Sequence, residues 1–566
     1  MKLDDGDPEI LHVQHPFTFA ARAITEDTPR FHEDMSSPDR EGFIKAMNLE
    51  IEHQLNGDME DFVTVPRQKA IDKGHQVIEC TWAFKRKCYP DGTVKKLKAC
   101  LCIRGDLQEL GVDVFDTYSP LVQWSTIRLL LIVSIILKLE TKQVDYTLAF
   151  VQAKAKAGIY IEMPKMFEQD GCILELKQNL YGQCDAPLKF YEHLCKGFEQ
   201  RGFHISSFDP CLFLSDTCIC LTYVNDCIIM SQKSEDIDSV IDSLKNDLSD
   251  GKEVFSLDVE DNYAGFLGVD ISESKTVEGA IELLQTALID RILAALNLDD
   301  DGVIIRTEPA SSTPLTKDEN GPPQKEHWSY ASIIGMLLYL ASNSRPNITY
   351  AVNSCARFTH RSRECHEKAV KQVARYLKGT REKGLIFKPD QDLKLDLYAI
   401  ADFAGLWNPN DAHDPISVKS RNGYIVTLGG VPVTWSSKLQ TEIATSTLVH
   451  VEYVALSTGM RDLIPFADTL NELCKYLKVE RTDESRVIRA FEDNEGAFKL
   501  ANRKLPAKTT PHTKHFAVKY HWFREKLEDY NIKIVPVRTD LEEADIFTKV
   551  LDKSKFRKKR PLLMGW

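Results

Sequence analysis

The chain has 566 residues and a mass of 64.3 kDa, and its 71 Lys and Arg against 84 Asp and Glu give a formal net charge of −13. At roughly 100–200 residues per domain, this length predicts about three to five domains. The acidic balance excludes a chain coated throughout with basic residues for nucleic acid, although a local basic groove remains compatible with it.

Fourteen cysteines without any C-x-x-C pair are typical of free thiols in a reducing compartment, not of a disulfide scaffold or a zinc ribbon. The first ten residues, MKLDDGDPEI, are acidic and lack the apolar core of a signal peptide. The longest apolar run, at 129–137, is shorter than the roughly 20 residues that span a bilayer. We therefore expect an intracellular protein, cytoplasmic or nuclear, that is neither secreted nor bound to a membrane.

The first elements in chain order are a tail, a helix and a hairpin. Residues 1–38 are polar and without periodicity, which predicts a disordered tail. A helix is expected to begin near Ser37, because apolar residues then recur at helical spacing: Phe43, Met47, Ile51 and Leu55. Two extended runs between 78 and 105 flank the turn residues Pro90-Asp91-Gly92, and this pattern predicts a β-hairpin.

The middle of the chain alternates helices and strands. Ser125–Leu139 has the composition of a buried helix, and the strand that follows it breaks after Asp145. Two apolar strands, Cys218–Val224 and Cys227–Ser231, are separated only by Asn225-Asp226, which predicts a tight hairpin with those two residues between the strands.

The last part of the chain follows a polar, proline-containing linker at 301–328 and a helical stretch over 329–390. From 391 onward the predicted order is strand, hairpin, helix, strand, helix, helix, strand and helix, which is typical of a compact α/β domain. Three of its helices are expected over Leu448–Leu477, 514–529 and 542–551.

Two acids at strand ends are candidates for metal binding. Asp145 ends one predicted strand and Asp226 lies in the predicted hairpin turn. Carboxylates suit Mg²⁺, and two such ions can clamp an in-line phosphoryl displacement. On this pattern alone the alternative stays open that both are ordinary turn formers.

A second group of acids lies in the C-terminal α/β region. Asp402, Asp493 and Asp545 each come at the end of a strand or the start of a helix. Carboxylates gathered around two metals suit a phosphodiester hydrolase. The alternative is structural, with Asp493 capping a helix and Asp545 lying in a first helical turn.

Three groups of motifs resemble the polyproteins of copia-type retrotransposons. WAFKRKCYPDGTVKKLKACLCIRGD, YSPLVQWSTIRLLL, QVDYTLAFVQA, LKQNLYGQCDAPLKFYEHL, YVNDCII and FLGVDI resemble their reverse transcriptase. SYASIIGMLLYLASNSRPNITYAVN and AVKQVARYLKGT resemble the stretch that follows it. ADFAGLW, SRNGYIVTLGG, WSSKLQTEIA, EYVALS, EDNEGA, HTKHF and ADIFTK resemble their ribonuclease H domain. The resemblance runs from about residue 39 to residue 551, and gag, protease and integrase regions are missing.

The resemblance implies an α+β fold, with a right-hand polymerase followed by a helical connection and a ribonuclease-H-like α/β domain. The expected boundaries are fingers and palm at 39–247, a thumb-like segment at 248–300, a linker at 301–328, the connection at 329–390, the ribonuclease-H-like domain at 391–551 and a basic tail at 552–566. The implied partners are an RNA template, an RNA–DNA hybrid and dNTPs. An intact member is expected to hold two Mg²⁺ or Mn²⁺ ions in each site.

The polymerase motif departs from the family at one metal ligand. The family pattern Y-x-D-D matches Tyr223-Val224-Asn225-Asp226, so the first Asp of the pair is Asn225. The resemblance assigns Asp145 and Asp226 as the remaining metal ligands and Tyr223 as a residue beside the substrate. An amide offers one carbonyl oxygen but no charge to neutralise a metal, and this substitution predicts an impaired polymerase.

Two nucleotide-facing positions also differ from the family pattern. Cys100 replaces an Arg that the resemblance places at the triphosphate, and a thiol cannot replace bidentate Arg–phosphate recognition. Asp185 replaces a Gln that is implied to lie against the nucleotide. Lys98 and Arg104 remain as candidate phosphate contacts, with solvated strand residues as the alternative.

The ribonuclease H motifs are altered as well. The first Asp of the family strand Y-x-D-A-D is Ile400 here, so Asp402 would serve only if the metal shifted. In the helix motif the first Glu is lost or replaced by His450, while Glu452 survives. Asp493 and Asp545 match the remaining two acids.

Two further features invite a binding role. His512, His515 and His521 suggest a metal, but HTKHF belongs to the family motif without being a zinc site there. Lys553–Arg560 carries six basic residues in eight, which suits nucleic-acid contact or a nuclear address, with an unstructured solvated tail as the alternative. The sequence therefore predicts a copia-type reverse transcriptase with a ribonuclease H domain and impaired activity. The alternative is a catalytically dead remnant that at most binds nucleic acid.

Overall fold

The computed structural model describes residue 31 and the following ranges: 35–56, 61–88, 94–246, 249–260, 265–311, 315–326, 328–407, 416–443, 447–503 and 520–566. Its contacts divide the chain into two units. Unit 1 comprises Met1–Leu121, Tyr146–Gly202 and Asp242–Asp258, and unit 2 comprises Val122–Asp145, Phe203–Ile241 and Val259–Trp566. The units interleave along the chain, so the consecutive domain boundaries expected from the sequence stay predictions.

The described residues form both α-helices and β-strands, which confirms the mixed α/β class. The helices are α1 (Arg40–Asn56), α2 (Gln68–Asp72), α3 (Trp124–Leu137), α4 (Ala186–Glu199), α5 (Ser234–Asn246), α6 (Thr286–Ala295), α7 (Tyr330–Asn343), α8 (Thr349–Ala356), α9 (Glu364–Lys378), α10 (Leu448–Tyr476), α11 (Glu495–Ala501), α12 (Lys526–Asp529) and α13 (Lys553–Met564).

The strands follow the same chain order. They are β1 (Phe62–Pro66), β2 (Val77–Ile78), β3 (Cys80–Cys88), β4 (Val94–Ile103), β5 (Glu140–Tyr146), β6 (Tyr160–Ile161), β7 (Cys172–Leu176), β8 (His204–Ile205), β9 (Leu212–Leu214), β10 (Cys218–Tyr223), β11 (Asp226–Ser231), β12 (Leu257–Glu260), β13 (Asp270–Glu273), β14 (Ile281–Leu284), β15 (Leu385–Phe387), β16 (Leu395–Asp402), β17 (Arg421–Leu428), β18 (Val431–Leu439), β19 (Ile488–Glu492) and β20 (Ile532–Pro536).

Unit 1 contains a four-stranded sheet, in the order β1-β7-β6-β2, and the two-stranded pair β3–β4. The predicted hairpin is confirmed, since β3 and β4 pair from Cys80↔Ile103 onward, while its turn at Pro90-Asp91-Gly92 lies outside the described residues. The predicted N-terminal helix is α1, which buries the predicted residues Phe43, Met47 and Ile51 in the core of this unit. The side chain of the fourth, Leu55, lies outside the described residues.

Unit 2 is built on two larger sheets and a continuous apolar core. Strands β5, β11, β10, β9 and β8 hydrogen-bond in that order, and β18, β17, β16, β19 and β20 form the second sheet. Helix α3 is the predicted buried helix, and its aliphatic side chains belong to the same core as those of α10. Strands β16 and β19 run parallel, so their carboxyl ends lie at the same edge of the sheet, where candidate acids are found.

The C-terminal residues correct one expectation. The basic segment from 552 is not an unstructured tail, because Lys553–Met564 forms α13, with the Asp552 side chain accepting from Lys555 N. Its apolar residues Phe556, Leu563 and Met564 are buried. Their burial stabilises the helix against the core despite the many basic residues of the segment. The buried Lys559 ammonium donates to the carbonyl oxygen of Glu542.

Two predicted helices are shorter than expected. Within 514–529, the described residues form a 3-10 turn at Trp522–Glu525 followed by the single turn of α12. The helix expected over 542–551 is a 3-10 turn at Glu543–Phe547. In this turn Ala544 through Phe547 are all buried, and a segment buried on every side does not follow the one-faced pattern of an amphipathic helix.

No helix among the described residues combines the length and the apolar character that crossing a bilayer requires.

Gly182 in unit 1 gives a first testable prediction, because its neighbours leave no room for a side chain. It has φ +86°, and a Cβ there would lie 2.4 Å from the carbonyl oxygen of Ile103. We expect Gly182→Ala to destabilise the protein by about 3 kcal/mol, combining positive-φ strain with overpacking against backbone. Urea denaturation followed by circular dichroism measures the change.

The matched control for Gly182→Ala is Gly171→Ala. Gly171 also has positive φ, 71°, but no atom lies within 4 Å of the added Cβ. We expect this control to lose only about 1 kcal/mol, the cost of the backbone conformation alone. Equal losses in the two variants would show that the close approach of Gly182 to Ile103 does not constrain the fold.

Candidate functional site

The first candidate site is the hairpin of β10 and β11. The two strands pair from Cys218↔Ser231 to Tyr223↔Asp226, so the two turn residues are Val224 and Asn225. The sequence prediction that Asn225-Asp226 separates the strands is therefore wrong by one residue, because Asp226 pairs as the first residue of β11. Val224 has φ 55°, a conformation that a β-branched residue rarely adopts outside a constrained turn.

The hairpin places the polymerase-motif residues against Asp145. Asp226 is the direct cross-strand partner of Asp145 in the antiparallel pair β11–β5. The amide nitrogen Nδ2 of Asn225 donates a hydrogen bond to Oδ1 of Asp145 at 2.6 Å. Thus the structure brings Asp145, Asn225 and Asp226 together, as their predicted shared role requires.

The electrostatics of this group favour a bound cation. Burial, with the nearby carboxylates of Asp145 and Glu260, raises the pKa of Asp226 to about 6. A divalent cation between two such carboxylates would offset both the burial and the repulsion. Asp145 and Asp226 therefore fit a metal. Asn225 stands where the family motif has a further metal-binding acid, and it instead donates an N–H to the Asp145 carboxylate. Burial also raises the pKa of Tyr223, which is half-buried beside them.

The predicted nucleotide contacts lie in unit 1. Cys100 and Lys98 are half-buried on β4, opposite Ala83 and Lys85 of β3. Arg104 is paired with its neighbour Asp106 at 2.7 Å.

The Asp185 side chain is neither exposed nor without a hydrogen-bond partner. It is buried, and its Oδ1 accepts a hydrogen bond from Gln183 Nε2 at 2.8 Å.

The second candidate site lies at the carboxyl end of β19. Glu452, Glu492 and Asp493 each place one carboxylate oxygen within 4.8 Å of the other two. Glu452 comes from the first turns of α10, and its Oε2 accepts a hydrogen bond from Ala401 N at 2.6 Å. The helix thus directs Glu452 to the edge of the sheet.

Burial dominates the charge behaviour of this second group. It raises the pKa of Glu452 to about 9, with further contributions from the carboxylates of Glu492 and Asp493. The pKa of Glu492 is also raised well above its usual range by burial and by Asp493 and Glu542. Uncompensated buried carboxylates are costly, and a divalent cation is one way to keep them ionised.

Two predicted ligands lie outside this group. Asp402 Oδ1 accepts from the backbone N–H of Arg421 at 2.6 Å, and burial raises its pKa to about 6. Asp545 forms an ion pair with Lys549 at 2.7 Å, with the ammonium of Lys559 at 4.0 Å. The structure therefore gives both acids partners other than a metal. Ile400 is buried in the sheet, as its apolar side chain requires.

The histidines do not assemble a metal site among the described residues. Glu452, Glu492 and Asp493 are the one group of three candidate ligands found there, and it contains no histidine. His521 Nδ1 hydrogen-bonds the hydroxyl of Tyr453 at 2.9 Å, and the pKa of His450 is lowered by burial. His512 and His515 lie outside the described residues.

Asp493 does not cap the following helix, as the structural alternative proposed. The N-cap of α11 is Asn494, whose Oδ1 accepts from Ala497 N at 3.0 Å. This leaves the Asp493 carboxylate free of the capping role and close to Glu452 and Glu492.

Sequence reasoning missed Glu492 and Glu542. Both are fully or almost fully buried, and Glu542 caps the 3-10 turn at Ala544 N. A signal for Glu492 was present in the strand Ile488–Glu492, where buried and half-buried residues alternate. Glu492 falls in register with the buried residues, so its side chain lies on the buried face of the strand. No comparable pattern marks Glu542.

One family model and several curated proteins match this chain. The protein family described as "Reverse transcriptase (RNA-dependent DNA polymerase)" matches residues 65–309. The chain is 30% identical over 546 residues to the "Retrovirus-related Pol polyprotein from transposon TNT 1-94" of Nicotiana tabacum, which covers 93% of this chain and 38% of that protein. It is 29% identical over 556 residues to the corresponding polyprotein from transposon RE1 of Arabidopsis thaliana, covering 97% and 35%. The chain thus spans little more than a third of the length of these curated relatives.

A similarity to a solved structure was also found. The foamy viral protease-reverse transcriptase dRH in complex with double-stranded DNA aligns with 88% of this chain and 69% of that chain, at 12% identity and a TM-score of 0.45.

Proposed function

Because residues 65–309 match the reverse transcriptase family and more than nine-tenths of the chain aligns with retrovirus-related Pol polyproteins of transposons, we propose that this protein is an RNA-directed DNA polymerase with an impaired nucleotidyl-transfer site. Its partners are an RNA template, a primer and dNTPs, and its cofactor is Mg²⁺ or Mn²⁺ held by Asp145 and Asp226. The observation that carries the proposal is the hydrogen bond from Asn225 to Asp145 inside the catalytic hairpin.

The chemistry follows from the two carboxylates. Phosphoryl transfer needs positioning and charge neutralisation more than covalent help from the protein. Asp145 and Asp226 would hold a divalent metal, which would supply Lewis-acid stabilisation of the triphosphate and of the attacking 3′-oxygen. Asn225 adds no charge and donates to an oxygen of Asp145, so transfer is slow.

Primer extension tests this proposal. The purified full chain is given a DNA primer on an RNA template with four dNTPs, in Mg²⁺ or Mn²⁺. We expect slow extension that Asp145→Asn and Asp226→Asn each abolish. The matched control is Asp238→Asn, an exposed acid of α5 that pairs with Lys142. Extension that survives Asp226→Asn would contradict the proposed site.

Hydrolysis of the RNA strand of an RNA–DNA hybrid is a second candidate function. The specific observation in its favour is the gathering of Glu452, Glu492 and Asp493 in the region that resembles ribonuclease H. A labelled hybrid without dNTPs separates this activity from polymerisation. We expect metal-dependent shortening of the RNA that Asp493→Asn lowers by at least about 100-fold, since an absent ligand costs more than an absent outer-shell partner. Cleavage that is unchanged in this variant would exclude the site.

A further inference from the structure

The carboxylates at the end of β19 come from the helix-facing side of the sheet. Leu397 of β16 contacts α10, because a Cβ added to Gly459 of that helix would lie 2.8 Å from the Leu397 side chain. Tyr398 faces the other way and stacks on Phe491 of the neighbouring strand at 4.5 Å between ring centroids. Since side chains alternate along a strand, Glu492 shares the face of Leu397, whereas Ile400 shares the face of Tyr398.

Glu492, whose carboxylate belongs to this group, has one oxygen without a hydrogen-bond partner among the described residues. Its side chain is 1% exposed, and one carboxylate oxygen, Oε1, accepts from Asn494 N at 3.0 Å. The other, Oε2, is buried and has no hydrogen-bond partner among the residues that the structure describes. Such an oxygen costs about 1–3 kcal/mol, and more when the group is charged, unless something else binds it.

A second orphaned oxygen belongs to Glu542. This residue is completely buried, its Oε2 also lacks a hydrogen-bond partner within the described part of the chain, and it interacts electrostatically with Glu492. Asp545 differs because it forms an ion pair with Lys549, and Asp402 differs because it accepts from the Arg421 backbone. Among these acids, Glu492 and Glu542 therefore keep a buried carboxylate oxygen without a hydrogen-bond partner or an ion pair in the described residues.

We propose that Glu452, Glu492 and Asp493 bind a divalent cation, and that Glu492 supplies the ligand missing at position 400. Positions 400 and 492 lie on the neighbouring parallel strands β16 and β19, but on opposite faces of the sheet. A cation bound by Glu492 would therefore lie nearer to α10 than one bound by a ligand at position 400. Three hard oxygen ligands within 4.8 Å of one another suit Mg²⁺ or Mn²⁺. This inference rests on the hydrolytic function proposed above and names the residue that would sustain it.

Manganese binding tests the inference without any activity assay. MnCl₂ is titrated into the full chain while the signal of free Mn²⁺ is followed by electron paramagnetic resonance. Every chain tested carries Asp145→Asn and Asp226→Asn, so that the remaining binding reports this site. We expect Glu492→Gln to weaken Mn²⁺ binding at least tenfold. The matched control is Asp462→Asn, a half-buried acid of α10 that accepts from the Tyr424 hydroxyl and is absent from the cluster.

Thermal unfolding supplies the second measurement and guards against a misfolded variant. Without metal, Glu492→Gln should melt at or above the parent temperature, because a neutral amide avoids the cost of ionising a carboxyl group buried without a cation. Added Mn²⁺ should raise the melting temperature of the parent and leave that of Glu492→Gln unchanged. Equal Mn²⁺ affinity and equal stabilisation in the two chains would overturn the inference.

The outcomes separate this inference from the proposed hydrolysis. If Glu492→Gln weakens Mn²⁺ binding but the parent chain leaves hybrid RNA intact, the cation site stands and the proposed hydrolysis fails. If the parent cleaves the RNA and Glu492→Gln binds Mn²⁺ as the parent does, hydrolysis stands and Glu492 is not a ligand.

Discussion

Replacing Asn225 with Asp is expected to raise the rate of RNA-templated primer extension by about 100-fold or more. The loss of an outer-shell partner of a metal typically costs 10–100-fold, and a missing carboxylate in direct contact costs more. In the present chain the Asn225 amide donates to Asp145 at 2.6 Å, so the variant both removes that bond and adds the missing negative charge. Single-nucleotide incorporation in Mg²⁺ measures the change.

A swapped variant separates the position of the charge from its amount. Asn225→Asp combined with Asp226→Asn has the same net charge as the parent chain but moves the carboxylate from β11 into the turn. Asp226 is the residue paired with Asp145 across the strands, so we expect the swapped chain to lose the slow extension of the parent. If Asn225→Asp gives no gain in a folded chain, the hairpin is not what limits the reaction.

Replacing Arg128 with Leu is expected to destabilise the protein by about 3–5 kcal/mol. Arg128 lies on the buried helix α3 and is 3% exposed. Its Nε donates to the carbonyl oxygen of Val433 at 2.6 Å, and its NH1 donates to those of Ser342 and Asn343. Leu would leave these three acceptors buried without that donor, at roughly 1–3 kcal/mol each before relaxation.

The guanidinium of Arg128 also lies 4.2 Å from the Trp435 ring, and burial lowers its pKa to about 9. Through these contacts α3 joins α7 and β18 within unit 2. Urea denaturation followed by circular dichroism measures the loss. Arg128→Lys should be less stable than the parent but more stable than Arg128→Leu, because one ammonium cannot reach all three carbonyls at once. A Leu variant as stable as the parent would show that the carbonyls find other donors.

Local pattern predicted the elements that carry the polymerase motif but not their register. Apolar runs and turn residues predicted strands on either side of Asn225-Asp226, yet Asp226 pairs with Tyr223 and shifts the turn by one residue. Two-residue hairpin loops favour Asn, Asp and Gly, which tolerate positive φ. Val224 has φ 55°, and the presence of a Val does not indicate the first position of such a turn. Cross-strand pairing with β5 decides the register instead.

The acidic residues show the same limit at longer range. Asp145 and Asp226 were candidates for a shared metal because each lies at the end of a predicted strand, and the structure places them as direct cross-strand partners. Asp402 and Asp545 matched family motifs, but their environments depend on Arg421, Lys549 and Lys559, whose positions no local pattern gives. Whether these two acids bind a metal stays a prediction.

The sequence did not predict the C-terminal helix, because its basic residues were a stronger signal than the spacing of its apolar residues. Six basic residues within Lys553–Arg560 suggested a solvated tail, although Phe556, Leu563 and Met564 recur at intervals of seven and eight residues. A single aromatic residue with two distant apolar ones is a weak periodic signal. Only the packed core into which they fit makes the helix stable.

The central claim is that one substituted ligand limits polymerisation while the acidic site at the end of β19 stays competent. A single reaction tests it, with a DNA primer on an RNA template, dNTPs, Mg²⁺ and the unaltered chain, following both labelled strands over time. We predict that the RNA strand shortens while the primer gains few or no nucleotides. A primer extended to the end of the template, with the RNA left intact, would contradict the account.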